Sequence, residues 1–149
     1  MIAGFYQLTR RPVEAVLPSL VVRALGAGHR LLVRCEDEAL LGLLDEKLWS
    51  FAPASFVPHG REAVLPPDRL ASQPVLLGSD WPPANGADCL MQISGDLPEA
   101  LGSLKRLLYL FGIEDLEIAR GHWRRLKAME GITSSYWREG ENGTFEKAA

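Results

Sequence analysis

Arg120, Trp123, Arg124 and Lys127 lie within "ARGHWRRLK" at intervals of three and four residues. At about 100° per residue, a helix would bring Arg124 to about 40° from Arg120 and Lys127 to about 20° on its other side, with Trp123 flanking the stripe. The apolar side of that helix would centre on Ile118, Leu126 and Met129, with His122 among them. Guanidinium and ammonium groups attract carboxylates and phosphates, and an indole offers an apolar face beside them. Such a stripe is either a solvated basic face or a binding face. As a binding face it suits an acidic peptide with an apolar residue and a terminal carboxylate. It equally suits a strand of nucleic acid, held by stacking and phosphate contacts. The net charge of −3 argues against coating nucleic acid by bulk charge and so favours the peptide.

A second constellation is "DEKLWSFAPASFVPHG", residues 45–60, which places Trp49, Phe51 and Phe56 where a helix gives way to extended chain. Aromatic residues at such a bend either plug the rim of a core or form a surface on which a partner lands. Periodicity alone leaves both open.

Signals for catalysis are weak. A phosphate-binding loop needs a glycine-rich turn after a strand, ending in Lys and Ser or Thr. Here "GAG" (26–28) follows a helix and has the order of a helix stop. There is no G-x-S-x-G elbow. His29, His59 and His122 show no ligand spacing, and the acids of "CEDE" (35–38) suit a helix start. The expectation is therefore no catalytic residue, no metal and no cofactor. Cys35 and Cys89 read as small buried hydrophobes on strands, without a disulfide. The N-terminal stretch does not have the pattern of a signal peptide, and no apolar run approaches the roughly 20 residues of a membrane span. A cytoplasmic protein with no membrane contact is expected.

The elements that must position these residues follow from the pattern. Strands are expected at 3–8, 30–35, 55–58, 74–78 and 89–94, and helices at 13–25, 36–49, 97–111 and 114–131. Residues 60–73 read as a loop. The whole chain, 1–149, reads as one domain, with 139–149 a mobile C-terminal tail. The β-α-β start predicts an α/β fold: a three-layer α/β/α domain with a mainly parallel, roughly five-stranded sheet, Rossmann-like but without a nucleotide-binding loop.

The opening "FYQL", the string "RLLVRCEDEALLGLLDEKLWSFAPASFVPHG" (30–60) and "ARGHWRRLK" (119–127) together resemble the chi subunit family of bacterial DNA polymerase III. That resemblance implies a non-catalytic accessory subunit in DNA replication. It would link the clamp-loader assembly to the acidic C-terminal tail of the single-stranded-DNA-binding protein, contacting DNA only indirectly. By position, Arg120, Trp123, Arg124 and Lys127 fall on the family's tail-binding motif, with tryptophan at 123 where the best-known pattern has tyrosine. Trp49 and Phe56 fall on the aromatic positions used against the psi subunit. Without psi, that surface would be vacant, self-associate, or face another clamp-loader component or a helicase. Phe51 has no carried-over role. The alternative is a direct single-stranded nucleic-acid-binding module working through the same helix face. A third possibility is a small nucleotide-dependent enzyme on the same kind of sheet, disfavoured by the missing phosphate loop.

Overall fold

The computed structural model describes residues 1–50 and 57–149. In chain order the elements are β1 (Ile2–Gln7), α1 (Val13–Gly26), β2 (Leu31–Arg34), α2 (Glu38–Ser50), β3 (Gly60–Arg61), α3 (Pro67–Leu70), β4 (Val75–Gly78), β5 (Cys89–Ile93), β6 (Arg106–Phe111), α4 (Leu116–Lys127), β7 (Thr133–Glu139) and β8 (Phe145–Lys147). The strands form one sheet in the order β3-β4-β2-β5-β6-β1-β7-β8. Every pairing is parallel except that of β7 with β8.

Strands β2, β4 and β5 are continuous apolar runs because both of their faces are covered. Alternate residues serve different cores. Tyr6, Leu31, Val33, Leu77, Met91 and Leu108 pack with Leu17 and Val21 of α1 and Leu44 and Leu48 of α2. Phe5, Leu32, Leu90, Leu107 and Tyr109 pack with Ala119 and Leu126 of α4. Thus α1 and α2 lie on one face of the sheet and α4 on the other.

Local signals explain the helix ends. Gly28, at φ +87°, follows the last turn of α1, and the His29 N–H reaches back to the Ala24 carbonyl. Asp37 caps α2, its Oδ1 accepting from the N–H groups of Ala39 (3.0 Å) and Leu40 (3.2 Å). The acids of "CEDE" therefore serve the helix start, as their position suggests.

The structure differs from the expectations in four places. Among the described residues the sheet has eight strands where roughly five were expected. The stretch read as a helix over 97–111 is a connection followed by β6. "RLLYLF" is a short, nearly continuous apolar run, which fits a buried central strand as well as a helix, and its place between β5 and β1 decides for the strand. The polar end of the chain carries β7, which extends the sheet beside β1, and residues Phe145–Lys147 of the expected tail pair with β7. Residues 60–73 hold β3 and the short α3 rather than loop alone. Of the extended piece read at 55–58, Ser55 and Phe56 lie outside the described residues, while Val57 is buried in the core under α1 and α2.

Candidate basic and aromatic binding face

Strand β6 ends at Phe111, a 3-10 turn follows over Ile113–Asp115, and α4 begins at Leu116. Glu114, Asp115 and Glu117 crowd the start of the helix, and Arg124, Arg125 and Lys127 its end, the polarity the helix dipole favours. The helix buries Ala119 and Leu126, while Ile118 and Met129 are each 42% exposed. It is therefore rotated from the expected orientation, so that the core direction runs through Ala119 and Leu126. The rotation brings Trp123 closer to the core than its place at the edge of the stripe implies.

Trp123 is half-buried, and its ring meets Phe5 edge-on at 5.5 Å and Tyr136 at 5.8 Å. Lys127 Nζ lies 5.2 Å from the Trp123 ring centroid, within cation–π range. Arg120 is exposed and donates from Nη1 to Glu117 Oε1 at 3.0 Å, a surface pair of small energetic weight. Arg124 is exposed too. Arg125, one residue on, is committed elsewhere: its Nη2 donates to the carbonyls of Pro98 (3.0 Å) and Glu99 (2.5 Å), strapping the 97–105 connection to α4. His122 packs on Tyr109 and places Nε2 3.1 Å from the Gly95 carbonyl. The three stripe cations and the indole are thus brought together, and their basic neighbour is structural.

The sequence reading missed the contribution of β7. Its parallel register sets Tyr136 beside Phe5 and Arg138 beside Gln7, on the face that carries α4. The Tyr136 hydroxyl donates to Gln7 Oε1 at 2.5 Å. Burial pushes its pKa up, and the nearby charges of Arg138 and Arg120 oppose that rise. The cationic surface therefore runs from α4 onto the sheet. The alternation in "SSYWRE", with Ser134, Tyr136 and Arg138 on one face, was the available signal.

On the opposite side of the sheet, Trp49 ends α2, is 58% exposed and lies 4.8 Å from the ring of His59. His59 is buried, with Nδ1 2.6 Å from the Val57 carbonyl and Nε2 2.8 Å from Asp45 Oδ1. That pair of contacts fixes the imidazole under the indole. Phe56 and Phe51 lie outside the described residues.

The position at which doubly wound sheets receive phosphate, the turn between the first strand and first helix, is occupied internally. Glu139 Oε1 accepts the N–H groups of Thr9 (3.2 Å), Arg10 (2.8 Å) and Arg11 (3.0 Å). Beside it, a cleft of about 670 Å³ opens at the carboxyl ends of β1, β5 and β6. Cys35 and Cys89 are buried thiols that are not joined to each other, and burial raises both pKa values, that of Cys89 to about 12. Among the described residues there is no cluster of metal-ligating side chains, and no helix is long and apolar enough to cross a membrane.

The structure is thus a mainly parallel α/β sheet whose first strand–helix turn is filled by its own carboxylate, with a basic and aromatic helix face outside it. The chain belongs to the DNA polymerase III chi subunit (HolC) family, whose model matches residues 2–133. It is similar to the DNA polymerase III subunit chi of Pseudomonas aeruginosa, 32% identical over 91 residues, covering 61% of each chain. It is also similar to the subunit of the same name from Haemophilus influenzae, 38% identical over 60 residues, 38% of this chain and 42% of that one. The matched stretches therefore span less than two thirds of either relative's length.

Proposed function

We propose that this chain is a non-catalytic adaptor of the replicative polymerase. It links the clamp-loader assembly to the acidic C-terminal tail of the single-stranded-DNA-binding protein. The observation that carries the reading is the exposure of Arg120, Arg124 and Lys127 around a half-buried Trp123. Arg120, Arg124 and Lys127 attract the acidic tail and take its terminal carboxylate, while the indole supports the terminal apolar side chain. Trp49, with Phe56, faces psi or an equivalent: another clamp-loader component or a helicase. Because α2 and α4 lie on opposite faces of the sheet, both partners can be held at once.

The test is calorimetric titration with a synthetic acidic peptide ending in an apolar residue and a free carboxylate. Binding that weakens with salt, and is lost in Arg124→Ala and with a C-terminally amidated peptide, is expected. No binding at low salt, or binding indifferent to Arg124→Ala, would sink the reading.

A further inference from the structure

The sheet face opposite α4 carries a second groove, between α1 and the β7–β8 hairpin. Helix α1 covers β1 and β6 but stops short of β7, so Trp137 and Phe145 are half-buried at the open flank of the core. Their rings form a wall with Tyr6. Tyr6 and Trp137 are nearly parallel, 8° between planes at 6.4 Å, and Phe145 meets Tyr6 edge-on at 5.2 Å. The wall is built in place. A Cβ on Gly4 would stand 2.7 Å from the Tyr6 ring, so the bare backbone at that position lets the ring lie back over β1. Arg106 Nη2 donates to the Tyr6 hydroxyl at 3.3 Å, and Trp137 Nε1 donates to Ser135 Oγ at 3.0 Å.

The groove comprises a pocket of about 440 Å³ and a smaller one of about 200 Å³ that share Tyr6, Leu20 and Arg23. Arg11 and Arg23 line the first, and Arg23, Arg106 and His29 the second. Neither lining contains an Asp or Glu, but Arg11 is paired with Glu139 and His29 with Asp88, so the charge the groove offers a ligand is that of Arg23 and Arg106. Arg23, in the last turn of α1, and Arg106, at the start of β6, bring positive charge to the groove.

We propose that this groove binds a short run of single-stranded nucleic acid, with unpaired bases against Trp137 and Phe145 and phosphates toward Arg23 and Arg106. Flat aromatic walls combined with a cationic track are the usual means of holding single strands without reading sequence. The site is separate from the α4 face and stands whether or not that face binds a peptide.

The full chain is titrated at low salt with a fluorescein-labelled oligothymidylate of roughly twelve nucleotides, reading anisotropy and tryptophan quenching. Parallel titrations use thymidine monophosphate and the acidic peptide. Expected are oligonucleotide binding, a loss of roughly tenfold or more in Arg23→Glu and Trp137→Ala, and rescue in Trp137→Phe. The slope of log affinity against log salt becomes shallower by about 0.7 for each phosphate contact removed. Arg124→Ala leaves oligonucleotide binding unchanged, and Arg23→Glu leaves peptide binding unchanged. Arg23 is exposed, so the fold of that variant is preserved, checked by circular dichroism. No oligonucleotide binding overturns the proposal. So does binding lost in Arg124→Ala but kept in Arg23→Glu, displacement by the acidic peptide, or monophosphate binding as tight as the strand's.

Discussion

Glu139, the last residue of β7, is joined to Arg11, just before α1, by an ion pair of 2.5 Å between Oε2 and Nε. The same carboxylate gathers the N–H groups of Thr9, Arg10 and Arg11, and the Thr9 hydroxyl donates to the Glu139 carbonyl at 2.8 Å. A contact between residues 128 positions apart thus fastens the late strand to the first turn of the chain. Burial alone would raise the Glu139 pKa, but the hydrogen bonds from Arg11 and the backbone outweigh it and hold it at about 2, from an ordinary value of 4.5.

The sign of the pH dependence follows. A carboxyl with a depressed pKa in the folded state contributes stability that is fully present above about pH 4.5 and is lost as the pH falls toward 2. The urea midpoint should therefore drop between pH 5 and pH 3, and Glu139→Gln should show a shallower drop. Parallel curves for the two proteins would show that the carboxylate is not the linked group.

Glu139→Gln should also lose about 2 kcal/mol at neutral pH, because a hydrogen-bonded anion is replaced by an amide that cannot satisfy the same donors. Equilibrium unfolding in urea measures it. Inorganic phosphate should stabilise Glu139→Ala more than the parent, since that substitution uncovers the backbone donors at the turn.

Arg124 and Arg125 are neighbours with separate roles. Arg124→Ala should leave the melting temperature in place and weaken the acidic peptide. Arg125→Ala should destabilise the fold by about 1–2 kcal/mol through its lost carbonyl contacts while sparing peptide affinity. Thermal melts paired with calorimetry separate the two.

Trp123 should report on both properties together. Trp123→Ala removes the ring between Phe5 and Tyr136 and should lower stability by about 2 kcal/mol and abolish peptide binding. Trp123→Tyr keeps an aromatic face and should retain most of both. If Trp123→Tyr loses binding as fully as Trp123→Ala, the indole has a role that no other aromatic ring fills.

The two thiols give a probe of opening. Burial raises both pKa values, and a protonated, buried thiol is a poor nucleophile. Cys35 and Cys89 should stay unreactive to a disulfide reagent in the native protein and titrate together in urea. Rapid native reaction at either would contradict their burial.

Elements whose local pattern agrees with their tertiary place were legible before any coordinates. The β1-α1-β2-α2 start is one such case, with Gly28 and Asp37 marking helix ends. The run at 106–111 was not, because the five successive apolar residues after Arg106 carry no period and only the neighbours β5 and β1 assign them to a strand. Strand β7 was hidden by its polarity: Ser134, Ser135 and Arg138 read as loop residues, and they become a strand because β1 offers them an edge. The stripe of Arg120, Arg124 and Lys127 was legible from spacing, since charge at helical intervals needs no tertiary information to face outward. The depth of Trp123 was not, because it depends on the rotation that Ala119 and Leu126 impose.

The margins of the sheet carry one more consequence. Among the described residues, one edge strand is Gly60–Arg61 and the other is Phe145–Lys147, with Glu146 and Lys147 exposed. Neither gives an arriving backbone enough length to zip onto, and charge at the second margin discourages it further. Partners are thus steered away from annealing to this protein as an extra strand. Recognition must pass through its side chains, where a single substitution can tune one contact without loosening another.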